Sequence, residues 1–293
     1  MVEESTKTQD RARRQALYES GAPLSEAEDL CLLMSAVFQH SGLDFRDYAP
    51  SWLRRRVRHV VSVEGTGTIR RLCEKVVADS SSMERLLGAV TIHVSAMFRD
   101  PSFYAVFRQR AVPMFRTFPS LRFWVAGCAT GEEVYSLAIL LHEEGLYERC
   151  RIYATDLNET MLANAREGRF RLSAMDEFSH NYKLAAGSRL LSDYYREDRD
   201  SAVFEAFLRE KLTFAVHNLV CDSSFNDFQG IFCRNVLIYF NRRLQCRVHK
   251  LLYESLDTFG YLGLGRSESI RFSPHENEYQ AVAPPARIYR KIR

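Results

Sequence analysis

The stretch Leu121-Arg-Phe-Trp-Val-Ala-Gly-Cys-Ala-Thr-Gly-Glu-Glu-Val-Tyr-Ser-Leu-Ala-Ile-Leu140 decides the fold. Its apolar run Phe123-Trp124-Val125-Ala126 is too short for a helix and stops at a glycine, which reads as a buried parallel strand. Gly127 to Gly131 follow as a tight turn, where glycine lets the backbone approach a ligand with no Cβ in the way. Glu132 and Glu133 then fall in the first turn of a helix, where carboxylates complement the positive end of the dipole. Val134, Leu137, Ala138 and Leu141 recur at helical spacing and pack that helix on the sheet. Strand, glycine turn and helix make the nucleotide-cradling corner of a doubly wound α/β fold.

The turn reads G-x-x-x-G, not the G-x-G-x-x-G of dinucleotide sites. A helix start that cradles pyrophosphate would not carry two glutamates. Two carboxylates suit a ligand with a cationic amino or sulfonium group, which points to S-adenosylmethionine. A structural turn with a solvated Glu pair is the other reading of the same residues.

Outward from this corner, strands are expected at 121–126, 151–156, 212–217, 230–235 and 259–264, with a last one near 287–292. Helical patterns separate several of them, so the sheet is mostly parallel with helices on both faces. Residues 171–211 are too irregular for a plain connection and are expected to form an inserted subdomain. Upstream, Leu30, Leu33, Val37 and Phe38 share a helix face that ends at Ser41-Gly42. Leu53, Val57, Val60 and Val61 share another, which turns Arg54, Arg55 and Arg58 toward solvent. Two further helical patterns follow, at Ile69–Val76 and Met83–Val90. The chain therefore divides into a polar leader at 1–28, disordered or loosely helical, an all-helical domain at 29–90 and an α/β domain at 91–293.

The 293 residues carry a net charge of +3, too small to argue for nucleic acid from the whole-chain field. No apolar run is long enough for a membrane span and no signal peptide is evident, so a cytoplasmic protein without membrane insertion is expected. The seven cysteines (31, 73, 128, 150, 221, 233 and 246) form no CxxC and read as buried thiols in a reducing compartment. The eight histidines show no metal spacing, so no metal is expected.

Four further segments carry chemistry. Asp156 ends the second strand, placed either to accept ribose hydroxyls or to cap the next helix. Asn218, after the third strand, suits an adenine edge or a cap. Arg234 and Asn235 end a buried strand and must be paired if buried. Tyr239 follows within reach of the same cleft, or as a core tyrosine. Arg99 lies beside Phe98, where it can fork onto a carboxylate or form an interdomain salt bridge.

Together the segments TIHVSAMFRDPSFY, GCATGEEVYSLA, YATDLNETMLANAREGRF, HNL, FCRNVLIYF and GRSES resemble the chemoreceptor protein-glutamate methyltransferases, the CheR family. The resemblance covers roughly residues 30–293. It implies a helical domain ahead of a Rossmann-like S-adenosylmethionine domain that carries a small β-subdomain. It implies cofactor contacts at His93, Ser95, Arg99, Glu133, Asp156, Asn218, Leu219, Cys233 and Arg234. Arg99 and Tyr239 match the pair that positions the substrate carboxylate and the methyl donor. Arg54, Arg55 and Arg58, turned to solvent by the spacing, read either as a docking face for acidic receptor helices or as a solvated basic face. The implied partner is the cytoplasmic helical region of a methyl-accepting chemoreceptor, approached by a monomer. The implied products are a glutamyl methyl ester and S-adenosylhomocysteine. The family's usual Asn and Thr are His93 and Ser95 here, GEEPYS reads GEEVYS, and GHSE reads Gly265-Arg-Ser-Glu268. Two other classes fit some of the residues: a scaffold that binds the cofactor or its product without turnover, and a methyltransferase for a small carboxylate. Some family members capture a receptor's C-terminal pentapeptide on the β-subdomain, through a glycine-containing insertion. The stretch 188–207 has no glycine, which predicts a pentapeptide-independent protein.

Overall fold

The computed structural model describes residues 25–91 and 95–293. They fall into two compact units that divide between residues 92 and 93.

The first unit is built on α1 (Glu26–Ser41), α2 (Pro50–Val63), α3 (Ile69–Ala78) and α4 (Ser80–Val90). Local chemistry sets each boundary. Ser25 and Glu28 form a reciprocal capping box at the start of α1, and Gly42 ends it in the left-handed region at φ 73°. Pro50 opens α2, while Thr68 and Asp79 cap α3 and α4 through their side-chain oxygens. Packing α1 on α3 and α2 on α4 buries Leu33, Val37, Val57, Leu72 and Leu86 completely. Phe38 departs from the expected face and is 37% exposed. It stands eight residues beyond Leu30, about 80° round the helix from it. There it carries the Arg46 guanidinium 4.1 Å above its ring.

On α2, Arg55 and Arg58 are exposed, but Arg54 is half-buried with its Nε enclosed. Arg54 follows the buried Leu53 and sits on the flank of the stripe, not opposite it. Arg58 is exposed yet engaged: its guanidinium forks onto both oxygens of Glu26, at 2.6 and 2.7 Å.

In the second unit a seven-stranded sheet runs in the order β6-β2-β1-β7-β8-β10-β9. Its strands are β1 (Leu121–Ala126), β2 (Cys150–Asp156), β6 (Leu212–Val216), β7 (Phe228–Cys233), β8 (Leu256–Leu264), β9 (Tyr279–Ala283) and β10 (Ile288–Lys291). The first five in spatial order are parallel, and β10 and β9 close the edge antiparallel. The main helices are α5 (Pro101–Arg110), α6 (Val112–Phe115), α7 (Glu132–Glu143), α8 (Glu159–Glu167), α9 (Met175–Leu184) and α10 (Arg242–Ser255). Phe123, Val125, Ile152, Ala154 and Phe232 join Phe103, Phe107 and Phe115 and the apolar side of α7 in one core. Trp124 points the other way, donates its Nε1–H to Thr155 Oγ1 at 2.9 Å, and lies under Phe225 and Phe228. The β6–β7 connection holds no helix, and Phe225 and Phe228 shelter this part of the sheet.

Between α8 and β6 stands a three-stranded antiparallel sheet, order β3-β5-β4, of β3 (Arg169–Arg171), β4 (Tyr195–Asp198) and β5 (Ser201–Phe204). It starts at Arg169, two residues before the boundary read from sequence, because β3 is too short to show a period. Glu143, at the end of α7, ties this region down. Its buried carboxylate takes bonds from Arg108, the Tyr182 and Tyr194 hydroxyls, and the Ser188 N–H and hydroxyl.

Cys73, Cys128, Cys150 and Cys233 are buried, but Cys31 and Cys221 are exposed and Cys246 is half-buried. Cys31 sits off the apolar stripe of α1, and Cys221 sits in the loop after β6. Among the described residues no helix is long and apolar enough to cross a membrane.

Glu64, at the end of α2, accepts from Arg85, from Lys75 at 2.6 Å and from Ser82 Oγ at 3.0 Å. The Arg85 and Lys75 bonds hold its carboxyl down to about 2, against an ordinary 4.5. A depressed carboxylate stabilises the folded state above its ordinary value and loses that contribution as pH falls through the folded value. Glu64→Gln is therefore expected to lower the melting temperature at neutral pH. Thermal melts should show the gap to wild type narrowing between pH 4.5 and about 2.

Candidate active site

The parallel strands end level with one another. Ala126 pairs with Thr155, Asp156 with Val216, and Cys233 with Leu264. The order reverses at β1, with β2 on one side and β7 on the other, and the crevice beyond the carboxyl ends is where such sheets bind ligands. Gly127 turns out of β1 at φ 72°, and its N–H bonds the Thr155 carbonyl at 2.8 Å. A Cβ there would come within 2.6 Å of Val236 Cγ2, so no larger residue fits this turn.

Asp156 is not the cap of α8. Asn158 is, accepting from the N–H groups of Thr160 and Met161. Asp156 instead spans two loops, taking the Ala129 N–H on one oxygen and the Asn158 N–H on the other, both at 2.9 Å. It thereby ties the glycine turn to the end of β2. Asn218 takes the Val220 N–H on Oδ1 at 2.9 Å and gives its own N–H to Asp222 at 2.8 Å. Its side chain shapes the turn after β6, with Leu219 buried beneath it.

Arg234 has a side chain only 2% exposed. Its Nη1 donates to Glu133 Oε1 at 2.6 Å, and its Nη2 to Asp100 Oδ2 at 3.0 Å and to the Arg99 carbonyl at 2.9 Å. The guanidinium also lies 4.2 Å from the Phe103 ring centre. Burial opposes its charge, but Glu133, Tyr104 and Asp100 outweigh that and hold the proton more firmly than usual. Burial and the Glu133 charge likewise push the Tyr104 hydroxyl up, so it donates as a neutral group.

This network changes the meaning of the glutamate pair. Glu133 is paired through Oε1 with Arg234, the partner that a charge this buried requires. Glu132 is bonded by the Thr130 hydroxyl at 2.6 Å, and burial raises its carboxyl above the usual range. The same network places Arg99. The segment before it is pinned by the fully buried Met97 and Phe98, with the Phe98 N–H on Ser136 Oγ at 2.8 Å. Phe98 and Asp100 both adopt positive φ, 50° and 55°. Such conformations cost on the order of 1–3 kcal/mol each and persist where the surroundings over-determine them. Arg99 is left half-buried at the head of α5, and Ser95 is half-buried at the other end of the segment. His93 lies outside the described residues.

Cys128 and Cys233 stand at the same strand ends, and burial pushes both thiols well up. Tyr239 closes a 3₁₀ turn, Leu237–Tyr239, just beyond Arg234. Sequence reasoning missed one participant. Glu268 is 4% exposed and accepts the N–H groups of Gly265, Asn235 and Ile238. Its signal was the GRSES segment, noted for its resemblance and given no role.

The CheR methyltransferase, SAM binding domain matches residues 93–286, and the CheR methyltransferase, all-alpha domain matches residues 28–91. The Cher3 protein of Pseudomonas putida is 43% identical over 263 residues, covering 90% of this chain and 96% of its own. The chemotaxis protein methyltransferase of Listeria innocua is 28% identical, covering 83% of this chain and 90% of its own. That of Salmonella typhimurium is 28% identical, covering 80% and 81%.

Arg234→Ala leaves Glu133 buried without its cation, a change that costs about 3–5 kcal/mol. Urea denaturation is expected to show that loss. Arg234→Lys should lose less stability yet still weaken S-adenosylhomocysteine binding in calorimetry, because an ammonium cannot span Glu133, Asp100 and the Arg99 carbonyl.

Proposed function

This chain belongs to the CheR methyltransferase family, and from that premise we propose that it methylates glutamate side chains on the cytoplasmic helices of a chemoreceptor, with S-adenosylmethionine as donor. The observation that carries this reading is the buried Arg234, which fastens the Arg99 segment and Glu133 to the strand ends where Asp156 stands. The crevice fits the cofactor. A glycine turn with no room for a Cβ admits close approach, Asp156 and Asn218 stand at adjacent strand ends for ribose and adenine, and Leu219 offers an apolar side. By the resemblance, His93, Ser95 and Cys233 complete the set. When bound, the cofactor supplies an electrophilic methyl group on a cationic sulfur.

The protein's own residues then have three tasks. Arg99 forks onto a carboxylate and fixes its direction. Tyr239 offers a hydroxyl beside the reacting groups. The buried surroundings of Arg234 keep water from the cleft. No general base is required, because a glutamate side chain is already ionised at neutral pH. Alignment of this kind supplies on the order of 7–11 kcal/mol of a barrier. The protein works as a cytoplasmic monomer.

Docking falls to the helical unit. Arg55 presents positive charge on α2, beside the Arg58–Glu26 pair that a receptor's carboxylates would compete for, and complementary charge speeds encounter and sets orientation. The β-subdomain is a poor place to add a strand. Its β4–β5 hairpin closes on two residues, Arg199-Asp200, and β4 carries the exposed Arg196, Glu197 and Asp198 at the edge.

Base-labile transfer of labelled methyl from S-adenosylmethionine to receptor-containing membranes is the expected activity. Arg99→Ala and Tyr239→Phe should each lower it about 100-fold, the cost of misplacing reacting groups by an ångström, with unchanged melting temperatures. Cofactor binding with no transfer to any receptor would establish the scaffold reading instead. A receptor tail peptide ending in the aromatic-acidic pentapeptide is expected not to bind in a titration. Arg55→Glu with Arg58→Glu should slow receptor methylation and flatten its salt dependence while leaving S-adenosylhomocysteine affinity unchanged.

A further inference from the structure

We propose that Glu268 is a positioning residue for methyl transfer, clamping the 235–239 turn so that Tyr239 is held at the reacting groups; the proposal rests on the methyltransferase reading. Glu268 is a buried carboxylate whose partners are backbone. Oε2 takes the N–H of Gly265 at 2.6 Å and of Asn235 at 2.9 Å, and Oε1 takes that of Ile238 at 3.3 Å. Burying a carboxylate is costly unless donors replace its hydration. Here the donors come from two loops, Asn235 and Ile238 on one and Gly265 on the other, and the carboxylate holds the two backbones together. Burial raises the Glu268 carboxyl, and these N–H groups pull it back.

The other side of the turn is held as well. Gln245 of α10 donates from Nε2 to the carbonyls of Leu237 at 3.1 Å and Phe240 at 3.0 Å. N–H groups on one side and carbonyls on the other are thus both fastened, and the half-buried Tyr239 lies between the two fastenings. Two local costs show that the turn is imposed by its surroundings. Asn235 is held at φ 60°. A Cβ on Gly265 would come within 2.7 Å of both the Asn235 nitrogen and Glu268 Oε2, so the clamp closes only over glycine. Neither Glu268 nor Gln245 needs to touch the substrate to act in this way.

Glu268→Gln keeps the shape but turns an amide donor toward N–H donors. With purified protein and receptor membranes, this variant is expected to lose about 100-fold in kcat, the cost of a misplaced reacting group, while S-adenosylhomocysteine affinity and receptor KM stay within about threefold of wild type. In the Tyr239→Phe background it should cause little further loss, because both changes act through the same hydroxyl. An equal loss of cofactor affinity and kcat, or losses that multiply independently of Tyr239→Phe, would overturn the proposal. Amide exchange on the wild-type protein tests the clamp even where the variant does not fold. The Asn235, Ile238 and Gly265 amides are expected to exchange as slowly as those of β7. Exchange at the rate of an open loop rejects the clamp. If wild type transfers no methyl group, the functional reading falls, while the exchange result still judges the clamp by itself.

Discussion

A guanidinium with almost no exposure must find acceptors for its donors or stay out of the core. Arg234 finds them for its two Nη groups on elements distant in sequence: the first turn of α7, the residue before α5, and the carbonyl of Arg99. Each acceptor in turn depends on it. Glu133 has its charge balanced in a largely buried position, Asp100 is held in a left-handed conformation, and the Arg99 backbone is fixed. The pair is not a simple gain in stability, because burying two charges costs about what their attraction returns. What it secures is geometry, since removing either partner leaves the other buried alone.

The same device recurs around the unit with different chemistry. Glu268 gathers turn N–H groups beyond β7, Asp156 gathers those of the glycine turn and the β2 end, and Glu143 gathers hydroxyls, an N–H and Arg108 at the foot of the insertion. Three of these four polar centres stand beyond the carboxyl ends of the parallel strands, where loops converge and strands no longer fix the backbone. The fourth secures the inserted sheet to α7. Several of the strained residues fall in the same places. Phe98, Asp100, Ala129 and Asn235 all take positive φ, each beside one of these anchors. Strain of this kind is retained where packing and hydrogen bonds leave the chain no alternative.

What the sequence determined by itself was the periodic part of this protein. The run from Phe123 to Ala126, the glycine at 127 and the helical spacing from Val134 identified strand, turn and helix, because period and backbone freedom are local properties. The helical unit was legible for the same reason, down to the stop at Gly42. Tertiary structure decided what residues do once buried. Phe38 and Arg54 show the limit of a face read from spacing: each lies at a stripe margin, and only the neighbouring elements settle which way it turns. Cys31 and Cys221 were read as buried from their type, which says nothing of the side they occupy. At the site, residue types at strand ends were visible, but the pairing of Glu133 with Arg234, the bridging role of Asp156 and the part played by Glu268 were not. Each of these centres includes a contact between residues far apart in sequence, from 27 positions for Asp156 and Ala129 to 101 for Glu133 and Arg234, and a carboxylate's partner is set by the low dielectric it shares with that partner, which exists only after the chain has folded.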